Sequence, residues 1–222
     1  MYFLSERDKR ATWGNRISDA KIFCIGRGKT GTTSLEGFFR ERGLKLGDQA
    51  AGELLVRDWA SRNFDPIIAL ARTAQVFQDV PFGLPFTFVA LDMAFPGSKF
   101  ILSVRESAEE WYQSLTRFHT LIIGKDRLPT ADDLKECPYR YKGWLFEAMQ
   151  LIYGISEREP YERERLIEVY ENHNRQVREY FRHRPGSLLV INLSDGAAAQ
   201  KIMEFVGMSY AGETMPHLNR SR

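Results

Sequence analysis

Cysteine is nearly missing from this sequence: two residues in 222, Cys24 and Cys137, in unlike surroundings. Neither a disulfide framework nor a zinc-ligand spacing can be built from them, and a reducing compartment is the natural setting. Long apolar runs are missing too. None approaches the ~20 residues a transmembrane helix requires. Residues 1–14 open on a short apolar trio and turn charged at 6–10, which is not the apolar core of a secretory signal. A soluble, cytoplasmic protein with no membrane span is expected. An excess of one charge is also lacking, since 31 Lys and Arg face 29 Asp and Glu for a net +2. Binding nucleic acid by gross charge is thereby excluded, whereas a local anion pocket is not. There is no internal repeat, low-complexity tract or linker.

What is present is ordinary globular material, 43% hydrophobic and 27% charged. The length suits one domain, residues 1–222, that needs no disulfide or metal to fold. Short apolar runs at 21–25, 75–79, 99–104 and 188–193 read as buried strands, with a weaker fifth at 44–46. Helical spacing is seen at 32–42, 50–61, 65–73, 84–95, 107–122, 139–153, 159–183 and 197–206, and residues 125–138 read as a polar connection. Ser107 with Glu110 forms a candidate capping box for the helix that follows. Strands alternating with helices predict an α/β fold: a central, mostly parallel sheet between two helical layers. Residues 107–184, free of strand signals, are expected to form a helical excursion or cap.

The first strand runs into Gly26-Arg27-Gly28-Lys29-Thr30-Gly31-Thr32-Thr33 and then a helix. Glycines let successive N–H groups curl inward, the helix start adds partial positive charge, and a lysine with hydroxyls completes an anion cradle. The pattern departs from the nucleotide-triphosphatase loop, in which lysine directly follows the last glycine. Here Lys29 precedes Gly31 by two places. The strand at 99–104 ends in Arg105, not in the aspartate that would help to hold Mg²⁺. No metal is expected. A nucleotide kinase or triphosphatase is the first alternative reading, and a catalytically inactive nucleotide-binding relative the second.

Lys29-Thr30-Gly31-Thr32-Thr33-Ser34-Leu35 resembles the 5′-phosphosulfate loop of sulfotransferases that use 3′-phosphoadenosine 5′-phosphosulfate (PAPS). Residues 100–114, with Val104-Arg105-Glu106 and then Trp111-Tyr112-Gln113-Ser114, are similar to the family's 3′-phosphate segment. The tail, with residues 188–192, Asp195-Gly196 and Pro216-His217-Leu218-Asn219, is similar to bacterial members. The resemblance covers residues 21–219 in the right order and implies a three-layer fold of the P-loop type. It also implies transfer of a sulfuryl group to a hydroxyl, or an amine, with adenosine 3′,5′-bisphosphate (PAP) as the product. The acceptor and the oligomeric state stay open.

On that resemblance Lys29 neutralises charge on the departing oxygen. Arg27, Gly28, Lys29, Thr30, Gly31, Thr32, Thr33 and Ser34 form the loop around the 5′-phosphosulfate, while Arg105 and Ser114 take the 3′-phosphate. Arg105 has a rival role in a surface ion pair with Glu106 or Glu109. The family often sets the serine eight places after the arginine, where this chain has Gln113, so Ser107 is a competing ligand. The cytosolic branch places a histidine before a Leu-Pro step. Here Gln78-Asp79-Val80-Pro81 puts Asp79 there, making it the candidate base, with a turn cap or an arginine pair as its structural alternative. His119 is the second candidate base. Trp111, Phe118, Trp144, Phe146 and Tyr153 read as core, some of them lining an acceptor cleft, and His217 and Arg220 reach the cofactor on resemblance alone. The family's basic Arg-Lys-Gly segment has no counterpart.

Overall fold

The computed structural model describes residues 20–216, so His217 and Arg220 lie outside the described residues. Four strands form one sheet: β1 (Ile22–Cys24), β2 (Val76–Gln78), β3 (Lys99–Val104) and β4 (Leu188–Asn192), in the order β2-β1-β3-β4. All are parallel, with Ile22 opposite both Val76 and Lys99, and Phe100 opposite Leu188. The expected fifth strand at 44–46 contributes a single bridge, from Leu46 to Val76. Gly47 follows at once, and a Cβ there would sit 2.2 Å from the Phe77 ring, so the chain turns away before a ladder can form.

Ten helices complete the described residues. They are α1 (Thr32–Glu41), α2 (Gln49–Leu54), α3 (Val56–Ala60), α4 (Asp65–Ala71), α5 (Thr87–Ala94), α6 (Ala108–Ile123), α7 (Ala131–Glu136), α8 (Trp144–Tyr153), α9 (Arg163–Phe181) and α10 (Ala198–Val206). The segment expected as one helix over 50–61 is divided at Leu55 into α2 and α3. The polar connection at 125–138 contains α7, whose start is a reciprocal capping box between Thr130 and Asp133. Three polar residues there mark a helix start as readily as a loop.

Strand side chains alternate between two cores. Phe23, Ile25, Phe100 and Leu102 pack with Trp111, Leu115, Tyr170, Val177 and Phe181, so α6 and α9 form a layer on one face. Ile22, Cys24, Ile101 and Ile191 pack with Leu35, Phe38 and Phe39 of α1 and with Ile202 of α10 on the other. The described residues therefore form a three-layer α/β arrangement, a parallel sheet between two helical layers. Within the strand-free stretch 107–184, α6 and α9 cover the sheet, and residues of α7 and α8 join the same hydrophobic cluster. Phe23 lies at the centre of one face, 5.4 Å from Phe100 and 5.9 Å from Phe77 between ring centroids. Burying such a side chain stabilises the fold by about 2–3 kcal/mol. Both cysteines are buried and unpaired, and burial pushes the Cys24 thiol up. No helix among the described residues is long and apolar enough to cross a membrane.

Parallel strands place the loops after β1, β2, β3 and β4 along one edge of the sheet. The chain leaves β1 toward β2 on one side and returns to β3 on the other, which opens a crevice at the strand ends.

Candidate active site

The loop after β1 is held from beneath by its own polar groups. Thr30 Oγ1 bonds the Arg27 carbonyl and the Ser103 hydroxyl, each at 2.7 Å, which fixes the loop to β3. A Cβ on Gly26 would lie 2.2 Å from Ser103 Oγ; only glycine allows this approach. Trp111 Nε1 of α6 donates to the Gly28 carbonyl at 2.9 Å, and its ring stacks on Tyr170 at 4.6 Å. Gly31 adopts φ 97° before α1. No side chain caps that helix and no acidic residue occupies its first turn, so its amides and positive pole face the loop. Thr33 is exposed at that end, while Thr32 and Ser34 are buried.

Lys29 sits in the left-handed region at φ 75°, a conformation a bulky residue seldom holds without a functional reason. Its Nζ lies 3.0 Å from the centroid of the Phe118 ring. Burial, opposed by Asp79 and reinforced by Arg105, lowers its pKa from 10.5 to about 8. Asp79, at φ 60° after β2, approaches the loop closely: a Cβ on Gly28 would be 3.2 Å from its Oδ1. Its carboxylate accepts from Thr32 Oγ1 and from the Val80 amide, both at 3.0 Å.

Arg105 and Ser114 meet across the start of α6. The Arg105 Nε donates to the Lys29 carbonyl at 2.7 Å, Nη1 to Glu110 at 3.1 Å and Nη2 to Ser114 Oγ at 3.4 Å. Its ion-pair partner is thus Glu110 rather than Glu106 or Glu109. Ser107 is otherwise engaged, since its hydroxyl caps α6 by accepting from the Glu110 amide at 3.1 Å. The expected capping box is half present: the Glu110 carboxylate reaches the Glu106 amide and Arg105 instead of closing on Ser107.

A cavity of about 100 Å³ opens beside Lys29. Its polar end carries Arg27, Gly28, Lys29, Glu53 and Asp79, and its walls include Leu115, Phe118, Leu145, Met149 and Tyr153. Trp144 lines it as well, whereas Trp111 and Phe146 are core residues outside it. His119 is at the cavity, but burial, with Lys29 nearby, lowers its pKa to about 3, and its Nδ1 is paired with the Tyr161 hydroxyl at 2.9 Å. The sequence reading missed Glu53 altogether. It is 6% exposed on α2, bonded by Gln49 at 3.1 Å and by Arg140, and burial raises its pKa. An acidic residue on a short helix with no motif around it gives no sequence signal. Arg27 lies under the loop, 1% exposed, with one bond to the Gly83 carbonyl at 3.3 Å. Its Nε and Nη2 have no partner, an omission that costs about 1–3 kcal/mol or more for a charged group.

The arrangement sets an uncapped helix start, a lysine and two arginines beside a largely apolar cavity that is also lined by two carboxylates. No curated protein matches the sequence. Residues 21–222 match the family model described as a sulfotransferase domain, nine-tenths of the chain and every element that builds the crevice; the chain belongs to the sulfotransferase domain family.

Proposed function

We propose that the protein transfers a sulfuryl group from PAPS to a hydroxyl, or an amine, of a small acceptor held in the cavity. PAPS supplies the activated sulfuryl group. The residues suit such a donor: an uncapped helix start behind Gly31, a half-buried ammonium at Lys29, and Arg105 within reach of Ser114. The observation that carries the reading is Lys29, a cation held between the loop and the cavity beside a carboxylate.

In this reading the Lys29 ammonium neutralises charge growing on the departing bridging oxygen, an effect strengthened where water is excluded. The amides around Gly31, Thr32 and Thr33 hold the 5′ side, and Arg105 with Ser114 holds the 3′-phosphate through a planar fork of donors. Asp79 accepts the proton of the acceptor hydroxyl as the new S–O bond forms. Its place beside Lys29 suits that role better than His119, whose depressed basicity and bond to Tyr161 fit a wall. Glu53 is a second carboxylate at the same end. The two buried, unpaired thiols favour a cytoplasmic setting.

Thermal stabilisation separates this reading from a kinase or triphosphatase, since a selective ligand raises apparent stability by mass action. PAP without metal is expected to stabilise the protein and Mg·ATP to do little. Selective stabilisation by Mg·ATP would overturn the proposal. Binding of PAP without turnover on any hydroxyl or amine acceptor would leave an inactive relative.

A further inference from the structure

The glycine loop and Arg105 are tied to each other twice, and only one tie is direct. The direct one is Arg105 Nε on the Lys29 carbonyl at 2.7 Å. The other passes through two aromatic rings of the helical layer. Trp111 Nε1 of α6 donates to the Gly28 carbonyl at 2.9 Å. Its indole lies flat on the Tyr170 ring of α9, with 4.6 Å between centroids and 8° between planes. The Tyr170 hydroxyl in turn accepts from the Arg105 backbone N–H at 3.0 Å. One stacked pair thus makes a polar contact at each end, the first on the loop and the second on the residue that follows β3.

Packing alone does not require those contacts. Trp111 is 0% and Tyr170 3% exposed, so each polar atom had to find a partner inside the protein. Both found backbone of the two segments that meet at the crevice, not groups on their own helices. His173, three residues after Tyr170, extends the pattern: its Nε2 donates to the Ile25 carbonyl at 2.8 Å. One face of α9 therefore holds the ends of both β1 and β3. A ligand with phosphate at two positions needs its two anion clamps at a set separation. Side chains locked by burial can hold such a separation to a fraction of an ångström.

We infer that Tyr170 is a positioning residue of the donor site. Through its hydroxyl, and through Trp111, it sets the distance between the glycine loop and Arg105. With that distance it sets the preference for a nucleotide phosphorylated at both the 5′ and 3′ positions. The identity of the nucleotide rests on the sulfotransferase reading; the bracing of the two segments does not.

The test is calorimetric titration of wild type and variants with PAP and with AMP. Tyr170→Phe keeps the stacking surface and removes one acceptor. It should reduce the preference for PAP over AMP by about 3- to 10-fold, the range of one hydrogen bond, while AMP affinity stays within about twofold. Val177→Ala, a core truncation on the same helix, should lower the melting temperature and leave the preference unchanged. An unchanged preference in Tyr170→Phe overturns the inference, whatever happens to melting. So does an equal drop in Val177→Ala, because the preference would then follow stability alone. Should Tyr170→Phe fail to fold, Trp111→Phe decides. Loss of its N–H should weaken PAP and AMP together by about 3- to 10-fold, and unchanged affinity for both overturns the inference. Hydrogen exchange on the free protein separates the brace from the sulfotransferase reading. Tyr170→Phe should speed exchange of the amides at 28–31 as well as that of Arg105, and an unchanged loop overturns the brace. Wild type that binds no PAP, with the loop still loosened in Tyr170→Phe, would sink the sulfotransferase reading and leave the brace standing.

Discussion

Two arginines flank the glycine loop, and they are held in opposite ways. Arg105 is part exposed and every one of its nitrogens has a partner: the Lys29 carbonyl, Glu110 and Ser114. Arg27 is sealed from solvent and two of its three nitrogens have none. In the first, a serine, a carboxylate and a backbone carbonyl together fix the plane of the guanidinium. The second is held by one bond to the Gly83 carbonyl and by packing on the Tyr153 ring. One arginine is thus fixed by hydrogen bonds and the other by burial and packing.

Lys29 stands between the two, and its loss should have the largest effect. Lys29→Ala is expected to lower turnover by about 10³-fold with near-wild-type melting; a near-normal rate measured in single turnovers would remove Lys29 from the chemistry. Asp79→Asn should cost about 10²-fold in kcat with little change in PAP affinity. Arg105→Ala tests the donor side alone. It should weaken PAP binding by about 10- to 100-fold and leave binding of AMP, which lacks the 3′-phosphate, unchanged. Equal losses for both nucleotides would contradict that placement.

The pH profile sharpens the role of the lysine. Its ammonium is the working form and the free protein loses that proton at about 8. For kcat/KM toward the nucleotide this predicts a fall of about tenfold per unit as pH rises above that value. Lys29→Arg, which keeps its charge, should flatten the limb. The smallest contrast is between two serines. Ser107→Ala should cost about 1 kcal/mol of stability through the lost helix cap and leave PAP affinity alone, while Ser114→Ala should do the reverse.

The loop after β1, the arginine ending β3 and the alternation of strand and helix were legible because each depends on neighbours close in sequence. Glycine spacing sets a turn, and an apolar run sets a buried strand. That Ser114 lies beside Arg105 while Ser107 caps α6 could be seen only in the structure, because both depend on where α6 begins relative to Arg105. Glu53 was invisible for a different reason. It reaches the cavity only because α2 packs near the loop after β2, where a Cβ on Gly52 would lie 3.0 Å from the Val80 carbonyl. The basicity of His119 was equally hidden, since nothing along α6 reveals that Tyr161 and full burial await its ring.

Helix α6 places Ser114 against Arg105 and, about one turn later, Phe118 and His119 in the cavity wall. A stiff rod serving two compartments cannot be adjusted for one without disturbing the other. Helix α8 lines the cavity through Trp144, Leu145, Ala148, Met149, Ile152 and Tyr153, and of these Tyr153 also packs on the Arg27 guanidinium. If the cavity holds the acceptor, as proposed, Leu145, Ala148, Met149 and Ile152 can be varied to change its shape without touching either Arg105 or the packing on Arg27.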